Sequence, residues 1–533
     1  MYNNRRFYLS GKSFPYVVYS IVLTIFVRIT MKNPFGKKFV SIALITVLLL
    51  GLFIRFYQYF SGRNLWEDEA HLALNFMHLG YRDLTKPLEN FQSAPIFFLF
   101  SVETFSKIFG FSAIALRAFP FLVSICTFPI FYFLVLDLTK DKLAALIAFF
   151  IFAVNTSFIY YSSELKPYTV DVCVYIWIFY LAVSSFPFIE KNRYKLLGIA
   201  GVLAILYSNA ATVVLACAVI YITKDNLKVF LSKTEEGILE VKTKVRYLLV
   251  LCSWGIVFLS NYFLFIFRHP YAEGMKKEWA FTFPPINIFS KEFAAFILKT
   301  IQETFFDELL FINKNYGFSY LLLIIIVTAL VYLIYKKKGT VLLFTVAPIV
   351  IHFLLSMMKL YPFYYRFILY LLPSIIILIA LGTSLIAKAI SKNVHPSIAV
   401  LLVICCCYFY TEQSFQRIPR IDRTVKPVLD VINQKPGFKL YITTPYTLYE
   451  YYEQTGYVKN HNREPIGWNL SPQQYYETLK QKGQRGNYLL LFSTNGNADG
   501  YSAVLNDLKK RNLIVYQYDY GTYGILEAKS ITE

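Results

Sequence analysis

Charge is what this 533-residue sequence has least of: Asp, Glu, Lys and Arg together make up 16% of it, where a soluble domain of ordinary make-up carries roughly 25%. That shortage excludes a water-soluble globular chain, because too little polar surface is left to cover it. Paired cysteine motifs are missing as well. Cys126, Cys173, Cys217, Cys252 and the run Cys405-Cys406-Cys407 lie inside apolar stretches and form no C-x-x-C pair, which argues against a disulfide framework or a zinc site. No internal repeat is evident, and repeated halves mark many transporters. What abounds is apolar: hydrophobic residues reach 56% and aromatics 18%, the latter fitting the aromatic belts at membrane surfaces. A net charge of +20 would suit nucleic acid. Here, however, Lys and Arg gather in short loops between apolar runs, so the expected partner is a lipid bilayer and no nucleic acid.

Apolar runs bounded by charges fall near 39–59, 115–136, 143–161, 168–187, 195–207, 209–223, 247–267, 318–335, 340–358, 366–388 and 396–411, most of them long enough to cross a bilayer. They predict a polytopic α-helical membrane protein with about eleven spans. With Lys37-Lys38 on the cytoplasmic side, the basic loops 139–142, 190–193, 224–246, 336–338 and 388–392 fall on that side too. Loops 60–114, 162–167, 268–317 and 359–365, with everything after 411, then face outward. Segment 93–111 carries Glu103, Thr104, Ser106 and Lys107. Read as a span it would reverse every later loop, so it is expected to be an amphipathic helix on the outer membrane face.

These features divide the chain into 1–30, 31–411 and 412–533. Residues 1–30 read either as an extension ahead of a start at Met31 or as an interfacial helix. Residues 31–411 form the membrane domain. The last part alternates β-type runs at 439–443 and 488–492 with helix-like stretches at 471–479 and 502–510, which predicts a small C-terminal α/β extracytoplasmic domain. The location expected is the inner (plasma) membrane, multi-pass.

Three groups beside the spans carry candidate chemistry, since acidic residues near lipid are costly to desolvate. Trp66-Glu67-Asp68-Glu69-Ala70-His71 follows the first span; three successive carboxylates need a cation, a proton or open water. Tyr160-Tyr161-Ser162-Ser163-Glu164-Leu165-Lys166-Pro167-Tyr168, with Asp171, joins two spans on the same side. Asp171 either faces a protein interior with a partner or lines a polar cavity. Lys359-Leu360-Tyr361-Pro362-Phe363-Tyr364-Tyr365-Arg366 opens a span, where the Arg366 guanidinium suits a phosphate or anchors the helix by snorkelling. Arg268-His269 and Lys276-Lys277 give a weaker cationic signal. Carboxylates and cations on one face fit transfer of a group from a phosphate-bearing membrane lipid.

The order WEDEAH, SAPIFFLF, ALRAFPFLVSI, YYSSELKPYTVD, YPFYYRFILYLLP resembles the GT-C-type glycosyltransferases, specifically the bacterial relatives of dolichyl-phosphate-mannose–protein mannosyltransferase that include the lipid A aminoarabinose transferase. The resemblance covers roughly residues 39–390. It implies a GT-C-like fold and transfer of a sugar from a polyprenyl-phosphate-linked donor to a lipid, glycan or protein acceptor on the non-cytoplasmic face. It further implies that Asp68 activates the acceptor hydroxyl with Glu69 in support, and that Glu164 and Asp171 belong to the catalytic acids. Lys166, Tyr168, Arg366, His71 and Arg268 would bind substrate. Two departures stand out: Ala94-Pro95 replaces a Pro-Pro pair, and Gln92-Ser93 stands where a Lys often precedes it. No metal is required if cations neutralise a monophosphate; a divalent cation held by Asp68 and Glu164 stays open. The competing class is a polytopic transporter or lipid flippase, whose polar groups would lie near the membrane midplane.

Overall fold

In the computed structural model the described residues are 37–231, 238–393 and 418–529, short of 268, 311, 313–315, 422–423, 444–445, 460–461, 467–471, 482–486, 494–504, 512 and 520–521. The extension 1–30, the run 396–411 and Arg268 lie outside them.

In chain order the helices are α1 (Lys37–Tyr59), α2 (Glu67–His78), α3 (Ile96–Phe109), α4 (Ala113–Thr139), α5 (Lys142–Val154), α6 (Thr156–Tyr161), α7 (Tyr168–Val183), α8 (Pro187–Tyr207), α9 (Ala211–Leu231), α10 (Ile238–Asn261), α11 (Ala272–Glu278), α12 (Lys291–Lys299), α13 (Tyr316–Tyr335), α14 (Gly339–Thr345), α15 (Ala347–Met357) and α16 (Leu372–Asn393). Five helical stretches among the described residues are long and apolar enough to cross a membrane: Val40–Tyr59, Ala113–Thr139, Lys244–Ile266, Tyr316–Tyr335 and Tyr365–Lys392. The pair α14 and α15, bent by 41°, adds a sixth if it counts as one span. The protein is a multi-pass membrane protein.

The chain divides into two compact units, one of residues 1–59, 93–100 and 119–419, the other of 60–92, 101–118 and 420–533. The first is helical. Its sequence sets several helix ends by side-chain capping. Asp141 accepts from the Leu143 and Ala144 amides at 3.0 and 3.2 Å, which starts α5, and its other oxygen takes the Lys388 ammonium at 2.5 Å. The run expected as one span over 143–161 is broken at Asn155. That side chain caps α6 through the Phe158 amide at 3.0 Å and donates to the Leu309 carbonyl at 2.8 Å. The carbonyls released at the end of α5 are taken by Arg55, which donates to Phe152 O and Ala153 O at 3.1 Å each. A buried arginine is tolerable there because carbonyls, Ser124 Oγ at 3.2 Å and the Phe128 ring surround it.

Two basic stretches expected as loops are largely helical. Residues 190–193 lie in the first two turns of α8, which opens with Pro187 at a position where proline costs no hydrogen bond. Residues 224–246 are mostly the end of α9 and the start of α10. Lys, Arg and Glu are good helix formers, so charge marks these stretches as wet without unwinding them.

The second unit holds α2 and a five-stranded sheet. Its strands are β1 (Lys439–Ile442), β2 (Arg463–Pro465), β3 (Tyr488–Ser493), β4 (Ile514–Asp519) and β5 (Tyr523–Ala528), in the order β2-β1-β3-β5-β4. β1 lies parallel to β2 and β3, with Lys439 opposite Tyr488, whereas β5 lies antiparallel to β3 and β4, with Leu490 opposite Leu526. Helices α17 (Lys426–Asn433), α18 (Tyr446–Gln454) and α19 (Pro472–Gln481) and a helical stretch over 505–510 belong to it as well. β3 over 488–492 and β5 are buried on both faces, as central strands covered on two sides require, and apolar but for Glu527, whose carboxylate is paired with Lys435. Gly524 sits under the Phe492 ring, where any Cβ would overlap it.

Candidate active site

The first acidic group lies in the second unit and is helical, not a solvated loop. Trp66 is extended and caps α2, so Glu67, Asp68 and Glu69 form its first turn. The helix dipole favours carboxylates at that end, which is how three in succession are accommodated. Their environments differ sharply. Glu67 and Asp68 are half-buried, while Glu69 is fully buried. Arg117, near the start of α4, grips Glu69 in two-pronged fashion, Nε to Oε1 at 2.7 Å and Nη2 to Oε2 at 2.5 Å. Arg63 Nη1 adds a contact to Oε2 at 3.3 Å, and Glu69 reaches back to the Trp66 amide at 3.4 Å. Arg117 also donates to the carbonyls of Arg63 and Asn64 at 2.7 and 2.9 Å. One guanidinium thus stitches α4, the 63–64 backbone and the Asp68 helix together. His71 is half-buried on α2, and its carbonyl accepts from Asn75 Nδ2 at 2.8 Å.

The second and third groups lie in the first unit. Ser162, Ser163, Glu164 and Lys166 are buried in the turn between α6 and α7. The turn is pinned by the Lys166 amide donating to Glu164 O at 2.8 Å and by Thr169 Oγ1 donating to Tyr161 O at 2.6 Å. Asp171 sits in the first turn of α7, buried, and accepts from Ser208 Oγ at 2.6 Å. That bond ties α7 to the end of α8.

Arg366 stands in the 3-10 turn Tyr365–Leu371, directly after Tyr365, whose φ of +32° is rare for so bulky a side chain. Its guanidinium lies 5.3 Å from the Trp279 ring, 5.7 Å from Phe367 and 5.8 Å from Tyr168. Tyr161 packs edge-on to both Tyr168 and Tyr365 and lies in the field of both Glu164 and Arg366. The structure therefore brings Tyr168, Arg366 and Glu164 around one aromatic cluster. Among the described residues no group of three or more His, Cys, Asp and Glu side chains is placed to hold a metal ion.

Sequence reasoning passed over Arg117, Arg63, Ser208 and Trp279. A signal existed for Arg117: it is a lone cation inside ALRAFPFLVSI, and a charge in an apolar run calls for a partner.

The fold is that of the GT-C-type glycosyltransferases. The chain is similar to ArnT from Cupriavidus metallidurans bound to undecaprenyl phosphate, with a TM-score of 0.50 at 12% identity over 92% of this chain and 98% of that one. The archaeal oligosaccharyltransferase AglB from Archaeoglobus fulgidus, in complex with an inhibitory peptide and a dolichol-phosphate, gives a TM-score of 0.47 at 12% identity over 92% and 74%. In sequence, residues 45–164 match the family model of dolichyl-phosphate-mannose-protein mannosyltransferase. That stretch runs from the first span through WEDEAH to Glu164. Among curated proteins none matches the sequence.

Proposed function

We propose that the protein is a membrane glycosyltransferase that moves a sugar from a polyprenyl-phosphate-linked donor to an acceptor hydroxyl on the extracytoplasmic face, with inversion at the anomeric carbon. The family match over 45–164 and the fold shared with a structure holding undecaprenyl phosphate support the donor class. The observation that carries the reading is the first turn of α2. Glu69 is consumed by two arginines, and Asp68 beside it is half-buried and accessible at the helix N-terminus.

Asp68 takes the proton from the acceptor hydroxyl as its oxygen attacks the anomeric carbon. The bond from that carbon to the phosphate oxygen breaks, and polyprenyl phosphate leaves with the bonding pair. A sugar phosphate already leaves well, so the protein needs mainly a base, a phosphate clamp and exclusion of water. Arg366, braced by aromatic rings, and Lys166 serve the phosphate as cations; a monophosphate so neutralised needs no metal. The aromatic rings around Arg366 also offer faces on which a sugar or prenyl chain packs. Glu164, Tyr168, His71 and Arg268 are assigned to the same reaction as binding or acidic residues, with Asp171 positioning α7. About eleven spans, with the C-terminal sheet domain outside the inner membrane, complete the reading.

The test is transfer of labelled sugar from extracted polyprenyl donors by purified protein. Asp68→Asn keeps shape and hydrogen bonding but removes the basic oxygen, so transfer should fall by about 10²–10⁴-fold while donor binding persists. Near wild-type transfer would move the base elsewhere. Mass spectrometry of envelope lipids and glycans with and without the protein identifies the sugar and the acceptor, and a transporter would leave no transfer to lose.

A further inference from the structure

The entry to α2 and the entry to α4 are each tied to the sheet-bearing part of the chain by one of two adjacent tyrosines. Helix α18 packs along α2 in the second unit. On it Tyr451 and Tyr452 are buried. The Leu65 amide, one residue before the Trp66 cap, donates to Tyr452 Oη at 3.2 Å. Tyr451 Oη donates to the Phe111 carbonyl at 2.7 Å, two residues before α4 begins. Leu65 is fully buried, outside any helix or strand, and a buried amide left without an acceptor is costly. Between these two anchors runs the Arg117–Glu69 clasp, with Asp68 next to it. At the far end of α2, His78 Nε2 meets Gln454 at 3.0 Å, so the helix is held to α18 at both ends. Burial pushes both phenols well above their usual range, which keeps Tyr451 a donor at any physiological pH.

We propose that Tyr452, with Tyr451, is a positioning residue: the C-terminal sheet domain fixes the place of Asp68 through these two hydroxyls. The inference rests on the reading of Asp68 as the base. The residues meet across 387 positions of sequence for Leu65 and Tyr452 and 340 for Phe111 and Tyr451, so the domain carrying the tyrosines is a working part of the transferase and no mere appendage. Because a base displaced by about 1 Å loses on the order of 10²-fold in rate, an anchor at this point controls turnover more than it controls donor affinity.

The experiment uses full-length protein in lipid nanodiscs. Tyr452→Phe keeps the ring and removes only the acceptor oxygen, and Tyr451→Phe removes only the donor. Each should lower kcat by about tenfold to a hundredfold, leaving KM for donor within about twofold. Tyr516→Phe, on an exposed strand of the same domain, should match the parent. The decisive measurement is the cycle with Asp68→Asn. If Tyr452 acts through Asp68, its effect disappears in the Asp68→Asn background; equal effects in both backgrounds overturn the proposal. So does an unchanged kcat in Tyr452→Phe, or failure of both tyrosine variants to accumulate as folded protein, which would assign the hydroxyls to folding. A near wild-type Asp68→Asn would instead remove the base assignment and this inference with it, a result visible in that single variant alone.

Discussion

At the residue scale, two adjacent carboxylates at one helix N-terminus do different work. Glu69 is enclosed by Arg63 and Arg117, all three side chains at most 5% exposed. A buried pair stripped of one charge leaves the other desolvated and unpaired, at a cost of about 3–5 kcal/mol. Glu69→Gln should therefore act mainly on stability, lowering the free energy of unfolding by about that amount and with it the melting transition of the purified protein. Arg117→Lys should be intermediate, since an ammonium keeps the charge but loses the planar fork that spans both oxygens. Asp68→Asn keeps the size and most of the hydrogen bonding of a half-buried side chain, so it should melt close to the parent. Measured side by side, the three variants separate a structural acid from a chemical one. An unchanged transition for Glu69→Gln would mean that the clasp contributes nothing to the fold.

At the scale of elements, the helices of the first unit pack through small residues, because lipid offers no hydrophobic drive for one helix to leave it for another. Gly382 on α16 faces α13 so closely that a Cβ would meet the Ile325 carbonyl oxygen and side chain. Gly382→Ala should cost about 1–3 kcal/mol by overpacking, more than the roughly 1 kcal/mol of helix propensity it gains. Gly198 on α8 is the control, since a Cβ there would make an ordinary 3.5 Å contact with Val250. Gly198→Ala should hold or raise the transition that Gly382→Ala lowers. The lengths of α1 and α13 were legible as apolar runs because a span facing lipid is apolar on its outer side too, and β1 and β3 as short β-type runs because strands covered on both faces leave a continuous hydrophobic stretch. Breaks were not. Asn155 ends one helix and starts another by hydrogen bonds to Phe158 and to the distant Leu309 carbonyl, and hydropathy does not register a single polar cap. The acids Asp68 and Glu164 stood out as costly residues beside lipid. The partners of Glu69 and Asp171 did not, because Arg117 lies 48 positions from Glu69 and Ser208 lies 37 from Asp171, and only the fold brings them together.

For the whole molecule, the direction in which the helices cross decides which solution meets the first turn of α2. The charge rule places basic loops in the cytoplasm and the stretch 60–114 outside, and the transferase reading needs Asp68 where exported lipid-linked sugars are found. Labelling of single cysteines in intact cells tests this, on a chain whose native cysteines have been replaced. Ser163 is a poor probe, being buried at 2%. Lys86 serves better: it is 65% exposed and follows α2 in the same outer stretch. Lys86→Cys should react with a membrane-impermeant thiol reagent before lysis. Gly339→Cys, beside the basic run Lys336-Lys337-Lys338 and exposed, should react only after lysis. The opposite pattern would put Asp68 in the cytoplasm, away from an exported donor, and the reaction would then have to draw on a donor presented at the inner face. Labelling at neither site before lysis would take position 86 out of the outer solution and leave the acceptor no route to Asp68 from outside.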